Sequence, residues 1–329
     1  MVSCERCSKE AKMLLPYGPH NFCEEHFLYF FENRVRRTTR KHGMVKAGEK
    51  IAVGVSGGKD SATTLYLLHK MFSRVNEIEA VMIDEGIPGY RDKALAEGKA
   101  LCKELCIAFT VYSYKKELAV SMEEVKEKID LNSGLGSTCS FCGVFRRHLL
   151  NKGAVDVGAD RIATGHNLDD EVQSICMNFF DNDFSRMARL GAVVGSNGIK
   201  GLVPRIKPLY ESPEKEVIAF AALKELPHYS DECCPFSSQA KRNYFREMLN
   251  KMEANLPGTK FSVLRSFEQL KPLLEKTAEH GKARYCERCG NATTTSTCTV
   301  CLKLDQLILE KKVAKKQKEK TLTCATTKY

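Results

Sequence analysis

The segment that most constrains this chain is 50–72. Lys50-Ile-Ala-Val-Gly-Val55 reads as a buried strand, Ser56-Gly-Gly-Lys-Asp-Ser61 as a tight polar turn, and the stretch from Ala62 to Phe72 as a helix. A strand that empties through a glycine-rich turn into a helix start forms an anion site, because free N–H groups and the helix dipole both face the ligand. Gly57 and Gly58 let the backbone curl close to phosphate. Ser56 and Ser61 add hydroxyl donors, and Lys59 adds a point charge. The spacing is not that of a Walker A loop, whose two glycines stand further apart before Lys-Ser/Thr. Apolar strands at 51–55, 79–84, 108–112 and 161–164 alternate with helical stretches at 61–73, 90–105 and 142–157. That alternation predicts an α/β fold, a doubly wound parallel sheet with ligands at the carboxyl ends of its strands. Further helices are predicted over 213–225 and 238–253. A helical link follows over 260–280, with Pro272 at its first turn or at a kink.

Cysteine is the second constraint, with 15 in 329 residues. No run approaches the roughly 18 apolar residues of a membrane span, and the N-terminus lacks a signal peptide's apolar segment. The chain is therefore expected to be soluble and cytoplasmic, with no membrane partner, and paired cysteines there favour metal over disulfides. Cys4-x2-Cys7 with Cys23-x2-His26 predicts an N-terminal zinc ribbon, and Cys286-x2-Cys289 with Cys298-x2-Cys301 a C-terminal one. Neither pattern leaves an open position, so two structural Zn²⁺ ions are expected. Cys139-x2-Cys142 has no second pair nearby; the doublet Cys233-Cys234 lies about ninety residues on. Three such thiols suit an iron–sulfur cluster with one uncapped iron, or a redox dithiol with a persulfide-carrying partner, and spacing leaves both open. Cys102, Cys106 and Cys176 fall in apolar helical patterns and are expected to be packed; Cys324 lies in a polar tail.

Net charge is +10, and the excess sits at the ends: ten basic against six acidic residues in 1–50, and eight against three in 301–329. A helix predicted from 26 to 42 carries Arg34, Arg36, Arg37, Arg40 and Lys41, a density suited to a phosphate backbone. Residues 311–320 hold six lysines. The aromatic run His26-Phe-Leu-Tyr-Phe-Phe31 is expected to pack the first ribbon onto the body rather than to stack bases.

SGGKDS resembles the signature of the PP-loop ATP pyrophosphatases, which cleave ATP between the α- and β-phosphates and adenylate a substrate. Ile78-Glu-Ala-Val-Met-Ile-Asp84 looks like that family's second strand, and Arg161-Ile-Ala-Thr-Gly-His-Asn-Leu-Asp-Asp-Glu171 resembles its strand and G-H-N-x-D-D turn. With Cys139, Cys142 and Cys234, and a ribbon at each end, the layout resembles the tRNA 2-thiouridine synthetases of the TtuA/NcsA type up to about residue 303. The resemblance implies an organisation by segments. A zinc ribbon spans 1–30, a basic linking helix 31–48, a catalytic domain 49–255, a helical linker 256–284, a second ribbon 285–305 and a Lys-rich tail 306–329.

It also implies a chemistry. ATP with Mg²⁺ would lie on Val55, Ser56, Gly57, Gly58, Lys59, Asp60 and Ser61, with Asp84, Gly165, His166 and Asp170 around the nucleotide. The C2 oxygen of a tRNA uridine would be adenylated and then replaced by sulfur at a 4Fe–4S cluster on Cys139, Cys142 and Cys234. Pro235 and the downstream Gln239-Ala-Lys-Arg242 favour Cys234 over Cys233. Asp60 and Asp170 are the carboxylates implied for metal or proton handling, and Arg146 would steady the adenylate. His166 either binds nucleotide or braces its turn, and one of Asp169 and Asp170 is a candidate helix N-cap. The implied partners are tRNA, a second copy in a homodimer, and a ubiquitin-like sulfur carrier or free sulfide. Two other readings compete. A PP-loop enzyme that amidates or lysylates would not need the three cysteines, and a zinc-ribbon RNA-binding protein with a vestigial nucleotide domain would have a degraded loop.

Overall fold

A computed structural model describes residues 2–18, 20–195, 199–230, 234–237, 240–277 and 284–308. Cys233, Cys324 and the lysine stretch 311–320 lie outside them. An antiparallel hairpin of β1 (Met13–Leu15) and β2 (His20–Phe22) runs into α1 (Glu24–Lys41). Phe27, Phe31 and Val35 recur every fourth residue along α1 and are fully buried, which fixes its inner face. Phe31 stacks on Phe220 with ring centroids 4.6 Å apart, so the aromatic run packs the hairpin onto the body as expected.

The body is built from β3 (Lys50–Gly54), α2 (Lys59–Phe72), β4 (Glu77–Asp84), α3 (Arg91–Glu104), β5 (Phe109–Ser113), α4 (Tyr114–Leu118), α5 (Met122–Leu131) and α6 (Thr138–Asp156). It continues through β6 (Arg161–Ala163), α7 (Leu168–Phe180), α8 (Phe184–Met187), β7 (Val193–Val194), β8 (Arg205–Ile206) and α9 (Glu214–Leu223). The sheet order is β5-β4-β3-β6-β8-β7, parallel throughout except for β7 at the edge. Side chains alternate along each strand, and the two faces feed separate cores. Ile51, Val53, Ala80 and Met82 pack with α2, α3, α7 and α9, whereas Ala52, Val81 and Ile83 pack with α5 and α6. Helices on both faces make this the doubly wound sheet the alternation predicted. From β3 the chain moves to β4 on one side, and from β6 the sheet continues to β8 on the other. A crevice therefore opens where β3 and β6 part, at their carboxyl ends.

Two helices follow, α10 (Arg242–Asn255) and α11 (Thr259–Thr277), with Pro272 well inside α11 rather than at its first turn. A small antiparallel pair, β9 (Arg284–Tyr285) and β10 (Ala292–Thr293), precedes a helical segment over 299–308. Val300 and Leu307 of that segment pack into the α6 side of the sheet, and Lys303 sits 3.9 Å over the Phe141 ring. The hairpin before α1 joins the opposite core. No helix among the described residues is long and apolar enough to cross a membrane.

Two expectations change. The five cations of α1 do not form one solvated face, because Arg34 is largely withdrawn from solvent against Glu216 at 2.6 Å and Lys41 pairs with Glu211 at 2.6 Å. Only Arg36, Arg37 and Arg40 stay exposed and free of ion pairs among the described residues. Cys106 is exposed rather than packed: α3 ends at Glu104, and Cys106 takes the left-handed conformation (φ 53°) just past that end, turning its thiol to solvent.

Candidate active site

The turn after β3 is shaped by close approach. Gly57 has φ +83°, and a Cβ there would stand 1.8 Å from the Ala94 carbonyl oxygen, so only glycine fits. Gly58 begins α2 in extended conformation with no side-chain cap, which leaves the helix-start N–H groups for a ligand. The turn is braced from within: the Ser61 hydroxyl accepts from the Ser56 N–H at 3.1 Å and donates to the Gly58 carbonyl at 2.9 Å. The Ser56 carbonyl accepts from Arg91 Nη1 at 2.6 Å, and the Gly57 carbonyl from the Tyr229 N–H at 2.8 Å. Lys59 lies between Asp60 at 3.0 Å and Glu214 at 2.9 Å. Desolvation opposes its charge, but the two carboxylates win and hold it firmly cationic.

The turn after β6 forms the facing wall. Gly165 approaches so closely that a Cβ would meet the Asp60 carbonyl carbon at 2.7 Å. Asn167, and neither aspartate, is the N-cap of α7: its side chain accepts from the Asp170 N–H, while Asp170 reaches back to the Asn167 N–H. The Asn167 amide also donates to Asp60 at 2.9 Å, tying the two walls together. Asp170 receives Arg242 at 2.8 Å. Desolvation, aided by nearby Asp60 and resisted by Arg242, pushes its carboxyl up to about 6. Asp169 is committed elsewhere, to the Glu214 N–H at 2.8 Å and to Lys260. His166 bonds Thr164 at 2.9 Å, and burial together with Lys207, Arg205, Arg242 and Arg146 lowers it to about 3. It is a neutral imidazole that braces its own turn. Asp84 ends β4 and accepts from the Gly86 N–H at 2.9 Å.

Cys139 and Cys142 lie in the first turn of α6, and Cys234 comes from a separate segment just before Pro235. Cys234 feels the charge of both Cys142 and Cys139, and Cys142 that of Cys139. Burial pushes the Cys142 thiol up, against the pull of Arg146, whose Nη2 lies 3.4 Å from the sulfur. Burial likewise pushes Cys234 up. Cys139 is exposed, with its sulfur 3.9 Å from the Phe236 carbonyl oxygen.

The terminal clusters are tighter. The ligand atoms of Cys4, Cys7, Cys23 and His26 lie within 4.8 Å of one another, as do those of Cys286, Cys289, Cys298 and Cys301. Sulfur separations of 3.7 Å (Cys7–Cys23), 3.6 Å (Cys289–Cys298) and 4.0 Å (Cys286–Cys301) match the edge of about 3.8 Å that a tetrahedron with 2.3 Å zinc–sulfur bonds requires. The central trio is not drawn together in this way.

A family profile described as a PP-loop domain matches residues 28–253. The tRNA 2-thiolation protein NcsA of Haloferax volcanii is 37% identical over 323 residues, covering 93% of this chain and 99% of that one. The chain belongs to the PP-loop family of tRNA 2-thiolation proteins. A tRNA-5-methyluridine(54) 2-sulfurtransferase of Pyrococcus horikoshii is 34% identical, covering 91% of this chain and 93% of that one. Among solved structures, the U34-tRNA thiolase NcsA from Methanococcus maripaludis with its 4Fe–4S cluster superposes with a TM-score of 0.80. It is 32% identical and covers 93% of this chain and 97% of that one.

For a tRNA 2-thiolation protein, the residues that sequence reasoning missed are those that hold the named ones in place. Glu85, Arg91 and Glu214 touch Arg146, Ser56 and Lys59 and belong to no motif, while Asn167 stood in the G-H-N-x-D-D turn without an assigned role. Glu85 had one faint signal, a second acid directly after Asp84 at the carboxyl end of a strand. Arg91 and Glu214 had none, because each works through a partner distant in sequence.

Proposed function

We propose that this chain thiolates C2 of a tRNA uridine in two half-reactions run in the crevice between β3 and β6. In the first, the uridine C2 oxygen attacks the α-phosphorus of ATP. The C2–O–P bond forms, the bond from the α-phosphorus to the bridging oxygen breaks, pyrophosphate leaves, and the N3 proton is lost. Free N–H groups at the start of α2, the Ser56 hydroxyl and the Lys59 ammonium take up the charge growing on pyrophosphate. Asp60 and Asp170 would hold Mg²⁺, with Asp84 and Gly165 at the nucleoside. In the second half-reaction hydrosulfide attacks C2, the C2–O bond breaks, AMP departs with both electrons of that bond, and the hydrosulfide proton passes to N3, leaving the thiocarbonyl. No oxidant is needed. Arg146 would steady the adenylate as it leaves.

Cys139, Cys142 and Cys234 are the residues that would hold a 4Fe–4S cluster, which supplies an iron with an open position for hydrosulfide. The ribbon residues would hold one structural Zn²⁺ each, folding segments too short to make cores of their own. The organisation follows the chain: ribbon to residue 30, basic helix to 48, catalytic domain to 255, linker to 284, ribbon to 305, and a lysine tail. The protein would act in the cytoplasm as a homodimer, on either uridine 34 or uridine 54. It would draw sulfur from free sulfide or a ubiquitin-like carrier's thiocarboxylate.

The observation that carries this reading is that an intact phosphate loop and a three-thiol site are joined by one run of polar contacts, from Ser56 through Arg91, Glu85 and Arg146 to Cys142. A ligase that amidates or lysylates gains nothing from such a connection. The deciding experiment incubates anaerobically purified protein with tRNA transcript, Mg-ATP and sulfide, then measures pyrophosphate and the nucleosides by mass spectrometry. 2-Thiouridine with matching pyrophosphate is expected. Pyrophosphate without thiolation would point to another adenylating enzyme, and neither product to an RNA-binding protein.

A further inference from the structure

Glu85 stands just beyond β4, its side chain only 3% exposed, and takes two guanidinium groups from opposite sides. Arg91 Nε lies 2.7 Å from Oε2, and Arg146 Nε donates to Oε1 at 2.8 Å. Neither arginine ends there. Arg91 Nε directs its hydrogen to the Ile83 carbonyl at 2.6 Å, and its Nη1 donates to the Ser56 carbonyl at 2.6 Å. Arg146 carries Nη2 to within 3.4 Å of the Cys142 sulfur. Because Arg91 aims its Nε–H at Ile83, Glu85 Oε2 is a buried carboxylate oxygen with an ionic partner and no hydrogen-bond donor. A buried acceptor left in that state is costly and asks for a reason.

The peptide plane supplies one. The Ser56 carbonyl shares its trans peptide unit with the Gly57 N–H, so the two point in opposite directions. Holding that carbonyl inward on Arg91 turns the Gly57 N–H away from Arg91, toward the open side of the turn. A phosphate settling on the turn would adjust this peptide, and with it Arg91. Arg91 is 4% exposed and has no room to respond alone, so its movement falls on Glu85 and through it on Arg146.

We infer that Glu85 is a positioning residue that couples nucleotide binding on the Ser56–Ser61 turn to the placement of the Cys142 sulfur, acting through Arg91 and Arg146. The inference rests on the proposed adenylation and sulfur-transfer reading and adds a link between its two halves. It explains why one carboxylate serves two arginines, and why Arg146 spans an acid and a thiol instead of making a two-pronged pair with either.

The test uses Glu85→Gln, which keeps the shape and one acceptor oxygen but removes the charge. A non-hydrolysable ATP analogue is the probe, with its affinity measured by calorimetry. In iron-free protein, the alkylation rates of Cys142 and Cys139 are followed by peptide mass spectrometry with and without the analogue. In cluster-loaded protein, the electron paramagnetic resonance spectrum of the reduced cluster is recorded under the same two conditions. In the unaltered protein the analogue should change Cys142 alkylation by about 5-fold and shift the spectrum, the scale of ordinary coupling between sites. Glu85→Gln should still bind the analogue and lose both responses. A response that persists in Glu85→Gln, or one that is missing from the unaltered protein despite analogue binding, overturns the inference. Should Glu85→Gln fail to fold, Arg146→Lys decides, since one ammonium cannot reproduce the two-nitrogen span from Glu85 to the thiol. Failure of the unaltered protein to bind the analogue would bring down the adenylation reading, and the coupling with it.

Discussion

The terminal ribbons and the central cysteine site use the same C-x-x-C spacing and reach opposite geometries. In each ribbon the second pair sits at a helix start: Cys23 and His26 at α1, Cys298 and Cys301 at the segment 299–308. Cys139 and Cys142 do the same at α6. What differs is the partner. Each ribbon sets a knuckle pair, Cys4/Cys7 or Cys286/Cys289, against its helix start and brings four ligand atoms within 4.8 Å of one another. Among the described residues the central pair has only Cys234 for a partner, from far along the chain, with Arg146 and Tyr114 at the margin of Cys142. All three pairs sit at a helix start, and the partner decides whether the ligand atoms close on one point or stay apart. Even within a ribbon the thiols are unequal. Backbone N–H groups of Cys298 and Cys289 pull Cys286 down to about 6, whereas burial and its thiol neighbours push Cys301 up.

The sharpest way to break the comparison is to remove one thiol from each kind of site. Cys139→Ala should reduce 2-thiouridine formation by more than about 10³-fold while leaving pyrophosphate release measurable. Its thiol is exposed, so the melting temperature should hold within about 2 °C. Surviving thiolation would remove the trio from the chemistry. Cys298→Ser should do the reverse. Zinc content should fall by one ion per chain, and the end of the chain should become protease-sensitive, since such sites carry about 10 kcal/mol of local folding energy. An unchanged zinc count would show that the second cluster does not hold zinc.

These two sites were not equally legible in the sequence. Both ribbons could be read from spacing alone, because four ligands within two dozen residues leave little geometric freedom. The strand–turn–helix at 50–72 was legible for a similar reason, its chemistry being local and mostly backbone. The third thiol was legible only through the family resemblance, because Cys234 lies about ninety residues beyond Cys142 and no local pattern ties the two. Arg91 was invisible on the same grounds, and Glu85 showed only as a second acid after Asp84. Arg34 misled: its spacing on α1 looked like surface charge, and only the packing of α9 revealed that Glu216 takes it inside.

Within the nucleotide crevice, backbone and side-chain contributions can be set apart. Gly57→Ala drives a methyl into the Ala94 carbonyl and should weaken analogue binding and adenylation by about 100-fold, the cost of misplacing the loop by roughly 1 Å. Asp170 should show itself through pH instead. Its carboxyl is raised to about 6, so it is ionised at pH 7 and becomes protonated as pH falls through 6. If the carboxylate form holds Mg²⁺, pyrophosphate release should drop by about tenfold per pH unit below that point. Asp170→Asn should flatten this limb and lower the plateau. A limb that stays at the same pH in Asp170→Asn would assign it to another group.

The smallest expected effect separates two populations of arginine on one helix. Arg36, Arg37 and Arg40 project from α1 into solvent, and Arg36 spends only one contact, on Asn33 at 2.7 Å. If these three meet tRNA phosphates, replacing all of them with alanine should reduce the slope of log affinity against log salt by about 2 to 3. Folding should be untouched. Arg34 is the control. It donates to both Glu216 and Tyr17 in a pocket where its side chain is 11% exposed, so Arg34→Ala leaves a buried carboxylate unpaired and should cost about 3 kcal/mol of stability. Its salt slope should stay that of the unaltered protein. Fluorescence anisotropy of labelled tRNA across a salt series, read beside thermal melts, distinguishes the two. An unchanged slope in the triple variant would place the tRNA backbone elsewhere and leave α1 as a structural strut between the first ribbon and the sheet.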